Sequence, residues 1–287
     1  MVLYLFLTSL GIGIVCSLAF VAREAGIKFF RFNVGMAAVL IAIALAFRPA
    51  TGSGPMTRAA LAAVLVTEAL VVFYWATIGR AFTRYRSLII SAASIAGFAA
   101  LVLQALAVDV AFTGIGSGFS HASTAAIAGS AASSGAGLPF TALSVASFLT
   151  SAAFLGGACT AMVLGHWYLV LPSMEVSYLQ SIVKLHIASM VLRVAVVAAV
   201  VFVAIATWEP GLGPSFRHYI LSVSGIFFWQ RMLFGLAGPA VLSYLTWETA
   251  KIRSTQSATG ILYVDFFTVV VGEVLAKYLL LATRVPV

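Results

Sequence analysis

Two histidines, His166 and His186, stand 20 positions apart in GHWYLVLPSMEVSYLQSIVKLH, residues 165–186, inside a strongly apolar stretch of chain. Neutral imidazole ligates haem iron, hydrogen-bonds carbonyl groups and carries protons. If the connection between their two helices turns near Val176, midway between the rings, the imidazoles lie at one depth on antiparallel neighbours. A b-type haem would then fit edge-on between helices five and six, with His166 and His186 as axial ligands and its propionates near Lys184. Met162 and Met190 each lie four residues from a histidine, on its helical face, and would line that pocket or serve as alternative axial ligands. The same rings could instead hydrogen-bond the carbonyls of a quinone. A plainer reading is also open: HWY at 166–168 has the composition of an interfacial aromatic belt, and His186 could bond a backbone carbonyl. A zinc or copper site lacks an assured third ligand, since Glu175 is the only nearby acid and lies in the connection.

Charged residues within apolar runs form the second set of candidates. Glu68, Arg193, Arg231 and Glu273 fall near the middles of their runs, where each costs a few kcal/mol unless paired or hydrated. The simplest pairing joins Arg231 to Glu273 on neighbouring spans and leaves Arg193 for Glu68. Such pairs either fix helix register or, with Asp265, form a proton path, or line a pocket for an anionic ligand. Asp265, Glu273 and Lys277 follow at spacings of eight and four, so they share one helix face that cannot look at lipid throughout. Ser254, Thr255, Gln256, Ser257 and Thr259 precede that run and suit helix capping, or hydrogen bonds to a carbonyl-bearing ligand. In FGLAGPAVL, residues 234–242, Pro239 loosens its helix and frees carbonyls, as a substrate site or a packing kink requires.

The elements that must position these residues are membrane spans. The chain of 287 residues is 62% hydrophobic and 8% charged, with a mean hydropathy of +1.11, which excludes a soluble domain. About 20 apolar residues cross the ~30 Å hydrocarbon layer as a helix. Eight runs qualify, near 3–22, 32–49, 59–78, 87–107, 141–170, 182–207, 219–247 and 260–283. The expected fold is therefore all-α, a single bundle of eight transmembrane helices over residues 1–287. The first run lacks a basic leader and a cleavage site, so it reads as a retained span.

Basic residues near the ends of the runs set the expected orientation. Nine (Arg23, Lys28, Arg31, Arg80, Arg84, Arg86, Lys184, Lys251, Arg253) flank one side and four (Arg48, Arg58, Arg217, Arg284) the other. The richer side should be cytoplasmic, with both termini outside, in a bacterial inner membrane. The net charge of +8 reflects this flanking pattern and implies no nucleic-acid partner. Residues 108–140, rich in Ala, Ser and Gly, read as a flexible outer loop or a surface laid against a partner subunit; His121 and His218 would face the same side. Cys16 and Cys159 sit in apolar runs and suggest neither a disulfide nor a metal cluster.

No hydrolase triad, phosphate loop or dinucleotide fingerprint is present, and GIGSG at 114–118 lacks the strand–helix context such a loop needs. Three functions fit what remains. The first is a membrane subunit of a respiratory or other electron-transfer complex, working with quinone and haem b, other membrane subunits and surface-docked redox proteins. The second is a secondary transporter or proton conductor built on Glu68, Arg193, Arg231 and Glu273. The third is a ligand-free scaffold whose small-residue faces, GIG at 11–13 and FLGGA at 154–158, pack helices closely.

Overall fold

A computed structural model describes residues 1–21, 25–49, 54–79, 86–118, 137–171, 175–207 and 215–287. Every regular element among the described residues is helical. In lipid a helix is the local structure that satisfies all of its own backbone hydrogen bonds, and runs this apolar have no better alternative. The elements are α1 (Val2–Leu18), α2 (Gly26–Ala46), α3 (Pro55–Thr77), α4 (Arg86–Gly118), α5 (Gly137–Val170), α6 (Val176–Ala206), a short α7 (Phe216–Leu221), α8 (Ile226–Met232), α9 (Gly238–Lys251) and α10 (Thr255–Thr283). A 3₁₀ turn at Val223–Gly225 leads into α8, and a π turn at Leu233–Ala237 joins α8 to α9, so Val223–Lys251 runs as one spanning rod. Seven described helices are long and apolar enough to cross a bilayer; α1, at 17 residues, is a shorter apolar helix. The chain is thus a polytopic all-helical protein of lipid-compatible surface.

The expected runs overlap the observed helices, but the expected count of eight spans stands against seven described helices long enough to cross, and several bounds differ: α2 begins at Gly26 rather than near 32 and α6 at Val176 rather than near 182. The connection expected over 108–140 is narrower, because α4 continues to Gly118 and α5 begins at Gly137; residues 119–136, and His121 with them, lie outside the described residues. So do three of the basic flanks, Arg23, Arg80 and Arg84. The first helix ends at Leu18 rather than near 22.

The core is built around α1 and α5. From Tyr4 to Leu18 every residue of α1 is buried, against α2, α4, α5 and α10. Its polar members turn inward on themselves: Ser9 and Ser17 donate to the carbonyls of Leu5 and Gly13, four residues earlier. Such back-bonding satisfies a hydroxyl without a partner helix. Close approach to α5 depends on Gly13 and Gly156, where a Cβ on either would fall 2.0 Å from backbone atoms of the other helix. Here the small-residue faces noted in the sequence do the packing expected of them in lipid.

On the far side of α5, helices α6, α9 and α10 and the π turn close the bundle, while α2, α3 and α4 pack on the α1 side. Helix α3 faces outward over much of its surface: Leu65, Val66, Val72, Phe73 and Trp75 are exposed, as lipid-facing residues should be. The π turn has an identifiable cause in Pro239, which lacks the N–H that would bond the Gly235 carbonyl and whose ring crowds that carbonyl. The ladder widens in response, so that the Gly238 N–H bonds the Leu233 carbonyl, five residues back.

A candidate site along helix α10

Helix α10 carries the polar seam. Asp265, Glu273 and Lys277 face inward and are 0%, 0% and 3% exposed, so the face they share looks into the bundle. Glu273 is the centre of the larger cluster. Its Oε1 accepts from Arg193 Nε of α6 at 3.0 Å and from Arg231 Nη2 of α8 at 2.8 Å. Its Oε2 accepts from Arg193 Nη2 at 3.1 Å and from the Ser151 hydroxyl of α5 at 2.6 Å. Arg193 Nη1 donates to the Ser147 hydroxyl at 2.8 Å and carbonyl at 3.1 Å, and Nη2 also donates to the Val287 main-chain oxygen at 3.3 Å. Four elements are thus pinned at one carboxylate.

Of the expected pairings, Arg231 with Glu273 forms and Arg193 with Glu68 does not. Arg193 takes the other side of Glu273, and Glu68 sits on α3, half-buried, with Oε2 buried and without a hydrogen-bond partner. The reason is azimuth: Glu68 lies on a helix packed mainly against α4 and α2, on the opposite side of α5 from α6.

Two turns before Glu273, Asp265 approaches His186 of α6, with Oδ2 2.7 Å from Nε2 and both side chains fully buried. The contact is close but not aligned as a hydrogen bond, and His186 Nδ1 and Asp265 Oδ1 are likewise without hydrogen-bond partners. The ring of Phe154 stacks on the imidazole at 5.3 Å, with the planes nearly parallel. Gly157 lies against the His186 backbone and Nδ1.

His166 is elsewhere. It is exposed near the end of α5, and its Nδ1 is hydrogen-bonded to the Tyr263 hydroxyl of α10 at 2.8 Å, Tyr263 itself being 44% exposed. The level-rings geometry is therefore not met. Helix α5 ends at Val170 and α6 begins at Val176, so the turn comes before Val176, and His186 lies beside Phe154 and Gly157. Those residues are nine to twelve positions from His166 along α5, about 13 Å or more at helical rise. One imidazole points to a buried carboxylate and the other to an exposed phenol, so the residues present do not fit a haem held between α5 and α6.

The remaining candidates follow from these placements. Met190 is buried and Met162 half-buried, both in the apolar core. Lys184 is exposed, its Nζ 5.2 Å from the Trp247 ring, where Lys251 also rests at 5.4 Å while bonding Glu248. Ser254 precedes α10 but caps no backbone group; its hydroxyl meets Ser257, and Thr259 instead bridges helices by donating to the Gly165 carbonyl. No group of three or more metal-ligating side chains gathers among the described residues.

Sequence reasoning missed Ser147 and Ser151, Tyr263 and Phe154. The serines carried a readable signal, since Ser144, Ser147 and Ser151 recur at helical spacing in an apolar run and so mark one polar face. No family profile matches the chain, and no curated protein matches it.

Proposed function

We propose that the chain is a quinone-reactive membrane subunit of an electron-transfer complex, with the headgroup site at His166 and Tyr263. The observation that carries this reading is an imidazole and a phenol, hydrogen-bonded to each other and both exposed, on adjacent membrane helices. Quinones reach proteins sideways through lipid and offer two carbonyl or hydroxyl oxygens. A paired acceptor and donor open at the bundle's flank can bind one of them and pass its proton. On oxidation of a hydroquinone to the quinone, two electrons would leave to a surface-docked redox partner and two protons to water, one of them by way of His166. In the orientation set by the basic flanks, this site lies toward the cytoplasmic face of an inner membrane, with both termini outside and other membrane subunits alongside.

The test is saturable binding of a fluorescent quinone-analogue inhibitor to the purified protein in lipid vesicles. We expect His166→Ala and Tyr263→Phe each to weaken it tenfold or more. Absence of saturable binding to the wild type, or binding untouched by both substitutions, would overturn the reading.

A second reading, proton-coupled transport, is favoured by a separate observation. The buried His186–Asp265 contact, with partnerless polar atoms on both residues, lies in a half of the bundle where the span Val223–Lys251 is interrupted by a π turn. π turns gather at functional positions in helices, and a buried imidazole–carboxylate pair can hand a proton between states. Proton-driven uptake into vesicles, lost in Asp265→Asn with His166 variants unaffected, would favour this reading over the first.

A further inference from the structure

Helices α6 and α9 pack side by side, and their register is fixed where Gln180 Nε2 of α6 donates to the Ala250 carbonyl of α9 at 3.3 Å. Four residues further along α6, Lys184 reaches back to Trp247 of α9, so the two helices run antiparallel. Positive charge gathers at this end of the pair. Lys184 Nζ lies 5.2 Å and Lys251 Nζ 5.4 Å from the centre of the one Trp247 ring. Both lysines are exposed, as is Arg253 just past the end of α9.

The protein's own acids answer only part of this charge. An indole face attracts each ammonium but neutralises neither, and two cations drawn to one ring repel each other. Among the described residues Glu248 is the one carboxylate bonded to either lysine, at 2.7 Å from Lys251 Nζ, and an ammonium has three donors. The Lys184 ammonium has no hydrogen-bond or ion-pair partner among the described residues. The next acid on α6, Glu175, lies nine residues before Lys184, about 13 Å away at helical rise.

Deeper along the same two helices the outer surface turns apolar. Ala188 and Val191, four and seven residues on from Lys184, share its face of α6 and are exposed. Tyr244, three residues before Trp247 on α9, is exposed as well. Basic side chains above an apolar strip, with a tryptophan at the junction, match an amphiphile whose polar end is negative.

We propose that the α6–α9 flank holds one anionic phospholipid, its phosphate between the Lys184 and Lys251 ammonium groups at Trp247 and an acyl chain along Ala188, Val191 and Tyr244. A zwitterionic lipid fits less well, because its own ammonium opposes the cations gathered here. The lipid reaches these exposed residues from the side, so the site requires no internal cavity. It uses neither His166 nor Tyr263 and stands whatever becomes of the quinone reading.

Native mass spectrometry of the purified protein, offered equal amounts of phosphatidylglycerol and phosphatidylcholine with the same chains, reads the preference directly. We expect phosphatidylglycerol to be retained over phosphatidylcholine by about tenfold or more, the order that two interfacial lysines supply. The preference should largely vanish in the double variant Lys184→Ala, Lys251→Ala and persist in Lys28→Ala, which removes an exposed lysine from α2 instead. All three substituted lysines are exposed, so these variants are expected to fold. In a second arm, phosphatidylglycerol should raise the unfolding midpoint in detergent with saturation, because a lipid bound only by the folded state stabilises it, and inorganic phosphate should not. Equal retention of the two lipids by the wild type, a preference kept in the folded double variant, or one lost equally in Lys28→Ala would overturn the proposal. Inorganic phosphate matching the effect of the lipid would overturn it as well, in favour of a free-anion site.

Discussion

Glu273 accepts four hydrogen bonds from three side chains at zero exposure, which makes its charge the one the bundle can least do without. Replacing it with Gln leaves two buried guanidinium groups uncompensated, and breaking a buried pair from one side costs about 3–5 kcal/mol. We expect Glu273→Gln to lower the unfolding midpoint in detergent sharply. Glu68→Gln, at a position that no arginine reaches among the described residues, should change stability by less than about 0.5 kcal/mol. The contrast separates the observed pairing from the alternative in which Arg193 and Glu68 are partners. That alternative is what the sequence suggests, and the reason it does not hold is instructive. The position of a charge along an apolar run gives its depth in the membrane, so Arg231 and Glu273 can be matched from the sequence. It does not give the direction in which the residue points or the order in which helices surround one another. Glu68 has the right depth on the wrong side of α5. The histidines part for a related reason: each residue by which the turn is misplaced slides two antiparallel helices by two positions, and His186 consequently meets Phe154 and Asp265.

At the scale of elements, the apolar runs are legible because span length is fixed by the bilayer, and all seven long helices stand where such runs occur. The burial of α1 is not legible. A helix apolar on every side offers no stripe to show which face packs, and the sequence alone makes α1 an ordinary first span. Its contact with α5 gives a clear test. Gly13→Ala or Gly156→Ala places a methyl against opposing backbone, which cannot yield as a flexible side chain would. We expect a loss of about 1–3 kcal/mol from forced separation of the helices, read as a lower unfolding midpoint. Gly260→Ala in α10 is the matching control, because its position is exposed and a Cβ there meets nothing within 4 Å. That change should raise stability by about 0.5–1 kcal/mol through helix propensity alone. The serine face of α5 belongs to this scale too: three hydroxyls at helical spacing announce a polar neighbour before any partner can be named.

For the whole molecule, the distribution of basic flanks predicts that Arg253 and His218 lie on opposite sides of the membrane. Native Cys16 and Cys159 are buried, so single cysteines introduced at these two positions can be followed without removing them. A membrane-impermeant maleimide added to intact cells should label His218→Cys directly and Arg253→Cys only after permeabilisation; the reverse pattern would invert the orientation. The placement of the helices also bears on the order in which the chain can be made. Helix α1, the earliest of the described helices to leave the ribosome, becomes the central pole of the bundle, yet α5 and α10, which enclose it, arrive much later. Its lack of charge lets α1 wait in lipid at little cost. Helix α10 has no such freedom, since three ionisable groups would meet hydrocarbon if it entered alone. Insertion of this span is therefore expected to depend on Arg193 and Arg231 already standing in the bilayer to receive Glu273, so that substitutions in α6 or α8 would be felt first as a biogenesis defect, with α10 left stranded at the membrane surface.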